Sequence, residues 1–337
     1  MNLSEFDLIE SYFKRDTTVQ NSGVALGIGD DCALLDIPEG YQLAVSTDSL
    51  VCGVHFFEDV EPYRLGYKAL AVNLSDLAAM GALPKWVSLA ITLPNGAMVN
   101  NNQNWLAEFT RGFFALADKF GVLLVGGDTT KGPLSITLSV KGIVPRGLAL
   151  QRNKANEGDM ICVSNHIGNG ALGLAVKSKA VTVTHPQYFV DALELTEPRV
   201  DLGILLRGLA SSCIDISDGL TQDLTHILKA SNCCAKITIE SLPFSEMMQD
   251  EIKSAKLDND AAVQYALTGG DDYELLFTVS ESNLIVLEQI LAQQTELMPS
   301  ISVIGSITSA QPELISFFKD KQAVTYATGG WDHFKQE

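Results

Sequence analysis

The chain has 337 residues, 46% hydrophobic and 19% charged, proportions of a compact protein long enough for two domains of about 150 residues each. Lys and Arg number 23 against 41 Asp and Glu, giving a formal net charge of −18. That balance excludes a basic nucleic-acid footprint and disfavours anionic membranes, and it requires a nucleotide to arrive with cations or meet a local Arg. Met1 to Asp7 lacks the basic start and apolar centre of a signal peptide, and no apolar run approaches about 18 residues. The six cysteines (32, 52, 162, 213, 233, 234) form no CxxC pair. A cytoplasmic protein with reduced, mostly buried thiols is expected.

Phe6, Ile9 and Phe13 carry helical spacing over 5–14, and Val24 to Ile28 is strand-like. Apolar segments Cys32 to Ile37 and Tyr41 to Val45 flank Pro38-Glu39-Gly40. A hairpin closed there sets Asp30 opposite Asp48, two like charges that need something positive between them. A helix over 64–80 stops at Gly81 and carries Asn73 and Asp76 on one face. A strand over 86–93, a helix over 103–119 and strands over 121–126 and 134–144 follow. The locally basic segment Pro145 to Asp159, with Arg146, Arg152 and Lys154, marks the boundary between domains 1–145 and 146–337.

The second half opens with a strand, Met160 to Ser164, a Gly-rich turn and a helix to about Lys179. Helices are expected near 186–194 and 197–210, and another from Asp218-Gly219 to Ala230, followed by a strand over 235–239. Gly269-Gly270-Asp271-Asp272 leads into a strand from Tyr273 to Val279, then a helix over 281–294 and a strand over 301–306. Strands and helices mix without strict βαβ alternation, which makes the fold class α+β.

Six aspartates end apolar runs beside small residues: Asp30, Asp48, Asp76, Asp128, Asp215 and Asp218. Any one is explained as a turn or helix-cap residue. Six together are not, because charges 4 Å apart repel by about 1 kcal/mol in water and about 4 at an effective dielectric of 20. A converged set therefore needs cations, and oxygen-only donors with no His/Cys constellation select Mg²⁺ or Mn²⁺ over zinc. An EF-hand is excluded, since a loop begun at Asp215 has Leu220 where Gly is required. No GxxxxGK[ST] occurs. Gly168-Asn169-Gly170-Ala171-Leu172-Gly173 matches GxGxxG, the one argument for a dinucleotide-binding protein, but the next strand-like run ends in His185 rather than an acid. Close helix packing is the better explanation of those glycines. Among five histidines, only His55, in an apolar loop after Asp48, stands out. Trp331, after Gly329-Gly330, is either C-terminal packing or a lid over a planar ligand.

Read in order, Leu26-Gly27-Ile28-Gly29-Asp30-Asp31, Ser46-Thr47-Asp48, Asn73-Leu74-Ser75-Asp76, Gly126-Gly127-Asp128-Thr129, Asp215-Ile216-Ser217-Asp218-Gly219 and Gly269-Gly270-Asp271-Asp272-Tyr273-Glu274-Leu275 resemble the thiamine-monophosphate kinase family. That family is part of the aminoimidazole-ribonucleotide synthetase-like superfamily. The resemblance spans nearly the whole chain. It implies a two-domain α+β architecture whose N-terminal domains pair in a homodimer. It also implies several Mg²⁺ ions and transfer of the ATP γ-phosphoryl group to thiamine monophosphate. Carried over by position, Asp30, Ser46, Thr47, Asp48, Asp76, Asp128, Asp215 and Asp218 match metal-binding residues. Gly127, Asp128, Arg152 and Ser217 match ATP contacts, and His55, Asp271 and Trp331 match substrate contacts. Positions 271 and 331 are often Glu and Tyr in the family, and Phe120 stands where some relatives carry a nucleotide-contacting Tyr. Selenophosphate synthetases differ in their reactive N-terminal Cys and hydrogenase-maturation relatives in a terminal Cys. Aminoimidazole-ribonucleotide synthetase is the same-fold alternative.

Overall fold

The computed structural model describes residues 5–15, 17, 22–94, 103–294 and 298–331, and it divides into two compact units. The first comprises residues 1–77 and 82–147, the second 78–81 and 148–337. The extreme N-terminus, part of the polar stretch from Lys14 to Ser22, and the tail beyond Trp331 lie outside the described residues.

In the first unit, α1 (Glu5–Leu8) runs into a π-turn over Ile9–Phe13. Then come β1 (Val24–Leu26), β2 (Leu34–Leu35), β3 (Tyr41–Val51), α2 (Pro62–Ala79), β4 (Leu83–Leu93), α3 (Gln103–Phe120), β5 (Leu123–Lys131) and β6 (Ser135–Pro145). The sheet order is β3-β6-β4-β5, with β4 and β5 parallel and the other neighbours antiparallel. Alternation along β6 buries Ile136, Leu138 and Val140 on one face. Leu65, Ala69, Leu70, Leu74 and Leu77 of α2 recur at helical spacing and are buried. Two glycines bring α2 and α3 into backbone contact: a Cβ on Gly66 would sit 2.0 Å from the Phe109 carbonyl, and one on Gly112 would sit 1.9 Å from that of Tyr63. The other sheet face is covered at one end by the β1–β2 ribbon, where Val24 and Leu35 pack on Trp86, Val125 and Ile143.

The expected hairpin between residues 32–37 and 41–45 does not form. β2 pairs with β1, Val24 to Leu35 and Leu26 to Leu34, whereas β3 pairs along its whole length with β6. The reason is length. An eleven-residue strand finds eleven partners on β6, from Tyr41↔Pro145 to Val51↔Ser135, and β2 offers two residues. Asp48 therefore faces Leu138 across the ladder, not Asp30.

The second unit contains β7 (Met160–Ser164), α4 (Asn169–Lys177), α5 (Pro186–Glu194), α6 (Val200–Leu205), β8 (Ala210–Asp215), α7 (Leu220–Ser231), β9 (Cys234–Thr238), α8 (Glu246–Lys253), α9 (Asn259–Thr268), β10 (Leu275–Val279), α10 (Glu281–Gln293), β11 (Ile301–Thr308), β12 (Ile315–Lys319) and β13 (Gln322–Val324). Among the described residues its sheet has the order β13-β12-β9-β11-β7-β10-β8. Ile161, Val163, Ile214, Leu276 and Ile304 pack with Leu220, Leu224, Ile227 and Leu228 of α7 into one core. The helix expected over 197–210 is cut to Val200–Leu205, and the residues after it form β8, the strand that ends on Asp215. Its Ser211-Ser212 start hides the strand from an apolar-pattern reading. Ser212 is nonetheless buried, because its hydroxyl pairs with Thr278 Oγ1 on β10 at 2.7 Å. The α+β expectation matches both units. No described helix is long and apolar enough to cross a membrane.

Candidate functional site

Asp30 lies in the turn after β1, exposed, with Oδ1 accepting the Asp31 N–H at 2.8 Å. Ser46, Thr47 and Asp48 are consecutive on β3, so Ser46 and Asp48 share the α2 side of the sheet and Thr47 points the other way. The Ser46 hydroxyl donates to Asp76 Oδ2 of α2. His55 Nδ1 accepts the Val51 N–H at 3.0 Å. Gly127 and Asp128 are exposed on β5, where Asp128 pairs with Ala90 of β4.

Register separates two of these carboxylates. Asp48 pairs with Leu138, Leu138 with Leu89, and Leu89 with Gly127, so Asp48 and Asp128 stand at nearly one level on opposite edges of the sheet. Three strand spacings amount to roughly 14 Å. Asp128 also shares its face with Ala90 and Thr137, opposite to the face of Asp48 and Leu138. Within one chain the two cannot touch the same ion, given Mg–O distances of about 2.1 Å. Among the described residues no three His, Cys, Asp or Glu side chains converge to hold a metal ion.

The second unit gathers its candidates tightly. β8 delivers Asp215, 4% exposed, to a loop that opens α7 through Ser217, Asp218 and Gly219. Beside it runs the segment before β10: the Asp271 N–H donates to the Ser217 carbonyl at 2.9 Å and the Tyr273 N–H to that of Ile216 at 2.8 Å. Asp271 and Tyr273 both adopt positive φ, 66° and 51°, the sharp path needed to set Asp271 beside Ser217. The Trp331 N–H donates to the Asp218 carbonyl at 3.0 Å, and the residue is 48% exposed. Asp215, Ser217, Asp218, Asp271 and Trp331 thus share one loop cluster. Arg152 sits in a 3₁₀ turn, exposed, its carbonyl accepting from Ser231 Oγ at 2.9 Å, and its charge acts on Cys213, two residues before Asp215.

Two residues that hold this cluster escaped the sequence reading. Asp223, 3% exposed, accepts the consecutive N–H groups of Ser217, Asp218 and Gly219 on Oδ2 at 3.1, 3.2 and 3.1 Å. Burial, with Asp215 and Asp218 adding to it, pushes its carboxyl up to about 8. Asp272 accepts the N–H groups of Gly168 at 2.6 Å and Gly170 at 3.0 Å, and burial pushes it up to about 7. The GxGxxG amides that a dinucleotide pyrophosphate would need are therefore occupied by a carboxylate of the same chain. Gly173 carries the packing role, since a Cβ there would lie 2.1 Å from the Phe189 carbonyl. A helix N-cap spacing search, which looks three residues ahead, cannot find Asp223, because the anchor lies inside α7 and reaches back.

The Asp223 shift has a signed consequence. Its folded pKa of about 8 exceeds the ordinary 3.8, so the folded chain holds the proton more tightly between those values. Stability then falls as pH rises through that window and levels off above it. In EDTA, the Tm of the native sequence should fall more steeply from pH 5 to 8 than that of Asp223→Asn, which keeps an acceptor oxygen without an ionisable group. Parallel Tm curves would contradict the burial account.

The AIR synthase related protein, N-terminal domain, family model matches residues 29–144. The thiamine-monophosphate kinase of Escherichia coli K12 is 46% identical over 339 aligned residues, covering 99% of each chain, and that of Bacillus subtilis 33%, covering 99% of this chain and 100% of its own. The crystal structure of the thiamine-monophosphate kinase from Stenotrophomonas maltophilia superposes with a TM-score of 0.82 at 40% identity, covering 96% of this chain and 99% of its own. A structure of AaThiL complexed with AMPPCP and TMP gives 0.72 at 27% identity, covering 98% and 97%. With such identity along its full length, the chain belongs to the thiamine-monophosphate kinase family.

Proposed function

We propose that this chain transfers the γ-phosphoryl group of ATP to thiamine monophosphate, forming thiamine diphosphate and ADP. One observation carries the reading beyond family membership: the substrate-contact candidates Asp271 and Trp331 are hydrogen-bonded through their backbone to Ser217 and Asp218, the ATP and metal candidates. A relative at 27% identity has been crystallised with AMPPCP and TMP, which supports the same pair of ligands here.

The acceptor is a phosphate oxygen of thiamine monophosphate, already anionic near neutrality because the second phosphate pKa is about 6. That oxygen attacks Pγ in line, the bond from Pγ to the β–γ bridging oxygen breaks, and ADP leaves with the electron pair. No general base is required, and the chain need not move a proton. The task left to the protein is orientation and charge compensation.

The donor set suits Mg²⁺. Asp30, Asp48, Asp76, Asp128, Asp215 and Asp218, with Ser46 and Thr47, offer oxygen alone. Asn73, one turn before Asp76 on α2, supports this further: its Nδ2 donates to the Ala69 carbonyl at 3.0 Å, while its buried Oδ1 has no partner among the described residues. That acceptor awaits a water or a hydrated cation. Bound divalent ions would bridge the two polyanions and offset their mutual repulsion. Arg152 would give a bidentate phosphate contact, Gly127 close backbone approach, and His55, Asp271 and Trp331 contacts to the thiamine phosphate. The domain roles follow: residues 1–145 for metal, ATP and pairing, 146–337 for completing the site.

The homodimer proposal draws support from β3, an edge strand whose outward residues include Leu43 and Val45, 43% and 58% exposed. An eleven-residue edge strand carrying exposed apolar side chains invites pairing with a second copy. Pairing would also let Asp128 of one copy approach Asp48 of the other, which a single chain's sheet forbids.

A coupled ADP-release assay should give turnover with thiamine monophosphate and none with thiamine or aminoimidazole precursors. Equal turnover on an aminoimidazole precursor would favour the same-fold alternative. For the shared site, inactive Asp48→Asn and Asp128→Asn chains, unfolded and refolded together, should regain activity, because each mixed dimer restores one intact pair. No recovery in verified mixed dimers would place both carboxylates in one chain's site.

A further inference from the structure

We propose that Gln222 is a positioning residue that ties the aromatic C-terminal strap to the metal-ligand candidate Asp218, and so helps set affinity for the thiamine phosphate. The proposal rests on the reading of Trp331 as a substrate contact. Residues 329–331 lie as a short strap on the first turn of α7. Thr221, 1% exposed, donates its hydroxyl to the Gly329 carbonyl at 2.8 Å and accepts the Gly329 N–H at 3.1 Å. A Cβ on Gly330 would come within 2.3 Å of the Asp218 carbonyl and 2.9 Å of Gln222 Cβ, so the strap lies flat against both. The Trp331 N–H then reaches the Asp218 carbonyl at 3.0 Å.

Gln222 closes this arrangement with one group. Its Nε2 donates to Asp218 Oδ2 at 3.0 Å and to the Trp331 carbonyl at 2.7 Å. A primary amide carries two N–H donors, so both bonds can be made at once. The same side chain therefore grips a carboxylate of the metal-candidate loop and the backbone of the residue that presents the indole. Displacing either partner strains the other. The strap's last described residue is held at both backbone groups, N–H by Asp218 and C=O by Gln222.

Gln222→Met keeps the length of the side chain and removes both donors. In the full-length enzyme it should raise KM for thiamine monophosphate about tenfold, with kcat and KM for ATP within about twofold, the scale expected for losing one or two hydrogen bonds. Hydrogen–deuterium exchange gives a readout independent of turnover: the strap amides at 329–331 should lose protection about tenfold while the α7 interior keeps its own. Thr221→Val should loosen the strap in the same way. Unchanged strap protection in Gln222→Met overturns the tether, whether or not the wild-type protein phosphorylates thiamine monophosphate. Lost protection with an unchanged KM overturns the role in substrate affinity. If the wild-type protein shows no such activity but the strap still loosens, the functional reading has failed and the tether has not.

Discussion

The loop from Asp215 to Gly219 exists in its observed form because one buried carboxylate accepts three successive backbone N–H groups. Without Asp223, the partly buried amides of Ser217 and Asp218 and the buried amide of Gly219 would lose their partner, the last costing about 1–3 kcal/mol. Everything nearby depends on that loop. Its carbonyls at 217 and 218 receive the N–H groups of Asp271 and Trp331. Asp272 repeats the device at Gly168 and Gly170. Both clusters of amides have the form of an anion-binding nest, and in both the place is already taken by a carboxyl oxygen of the chain. On the proposed function, phosphate groups would therefore be held by other means, through cations at the acidic site.

The same device concentrates carboxyl groups. Asp215, Asp218 and Asp223 fall within nine residues, and the field of the first two adds to burial in raising the third. A chain with net charge −18 has little general cation to spare for such a loop. On the proposed function, divalent ions arriving with the nucleotide would answer both needs, relieving the carboxylates and screening the two phosphates from one another. The first unit adds a geometric demand. With Asp48 and Asp128 on opposite edges and faces of one sheet, their cooperation calls for a second copy of that sheet, and the apolar outward residues of β3 supply a surface for it.

Much of this was legible in the sequence, and the exceptions have particular causes. The helices over α2, α3 and α5 announce themselves by apolar spacing, and the aspartates by their company of small residues. β8 was hidden because its first residues are serines whose burial depends on a partner on β10. The false hairpin followed from treating a short turn as decisive when strand length on a distant partner decides the pairing. α8, α9, β12 and β13 are short or weakly periodic. Asp223 and Asp272 could not be singled out, since an anchoring carboxylate and a solvated one look alike until the amides they serve are in place.

The central claim is that these carboxylates work only as a platform for divalent cations between ATP and a phosphate acceptor. ³¹P NMR of the reaction mixture after exhaustive chelation tests it most directly. The account predicts no thiamine diphosphate signal in the chelated enzyme, and its appearance in step with ADP once Mg²⁺ is restored. Undiminished formation of thiamine diphosphate in the chelated sample would contradict it.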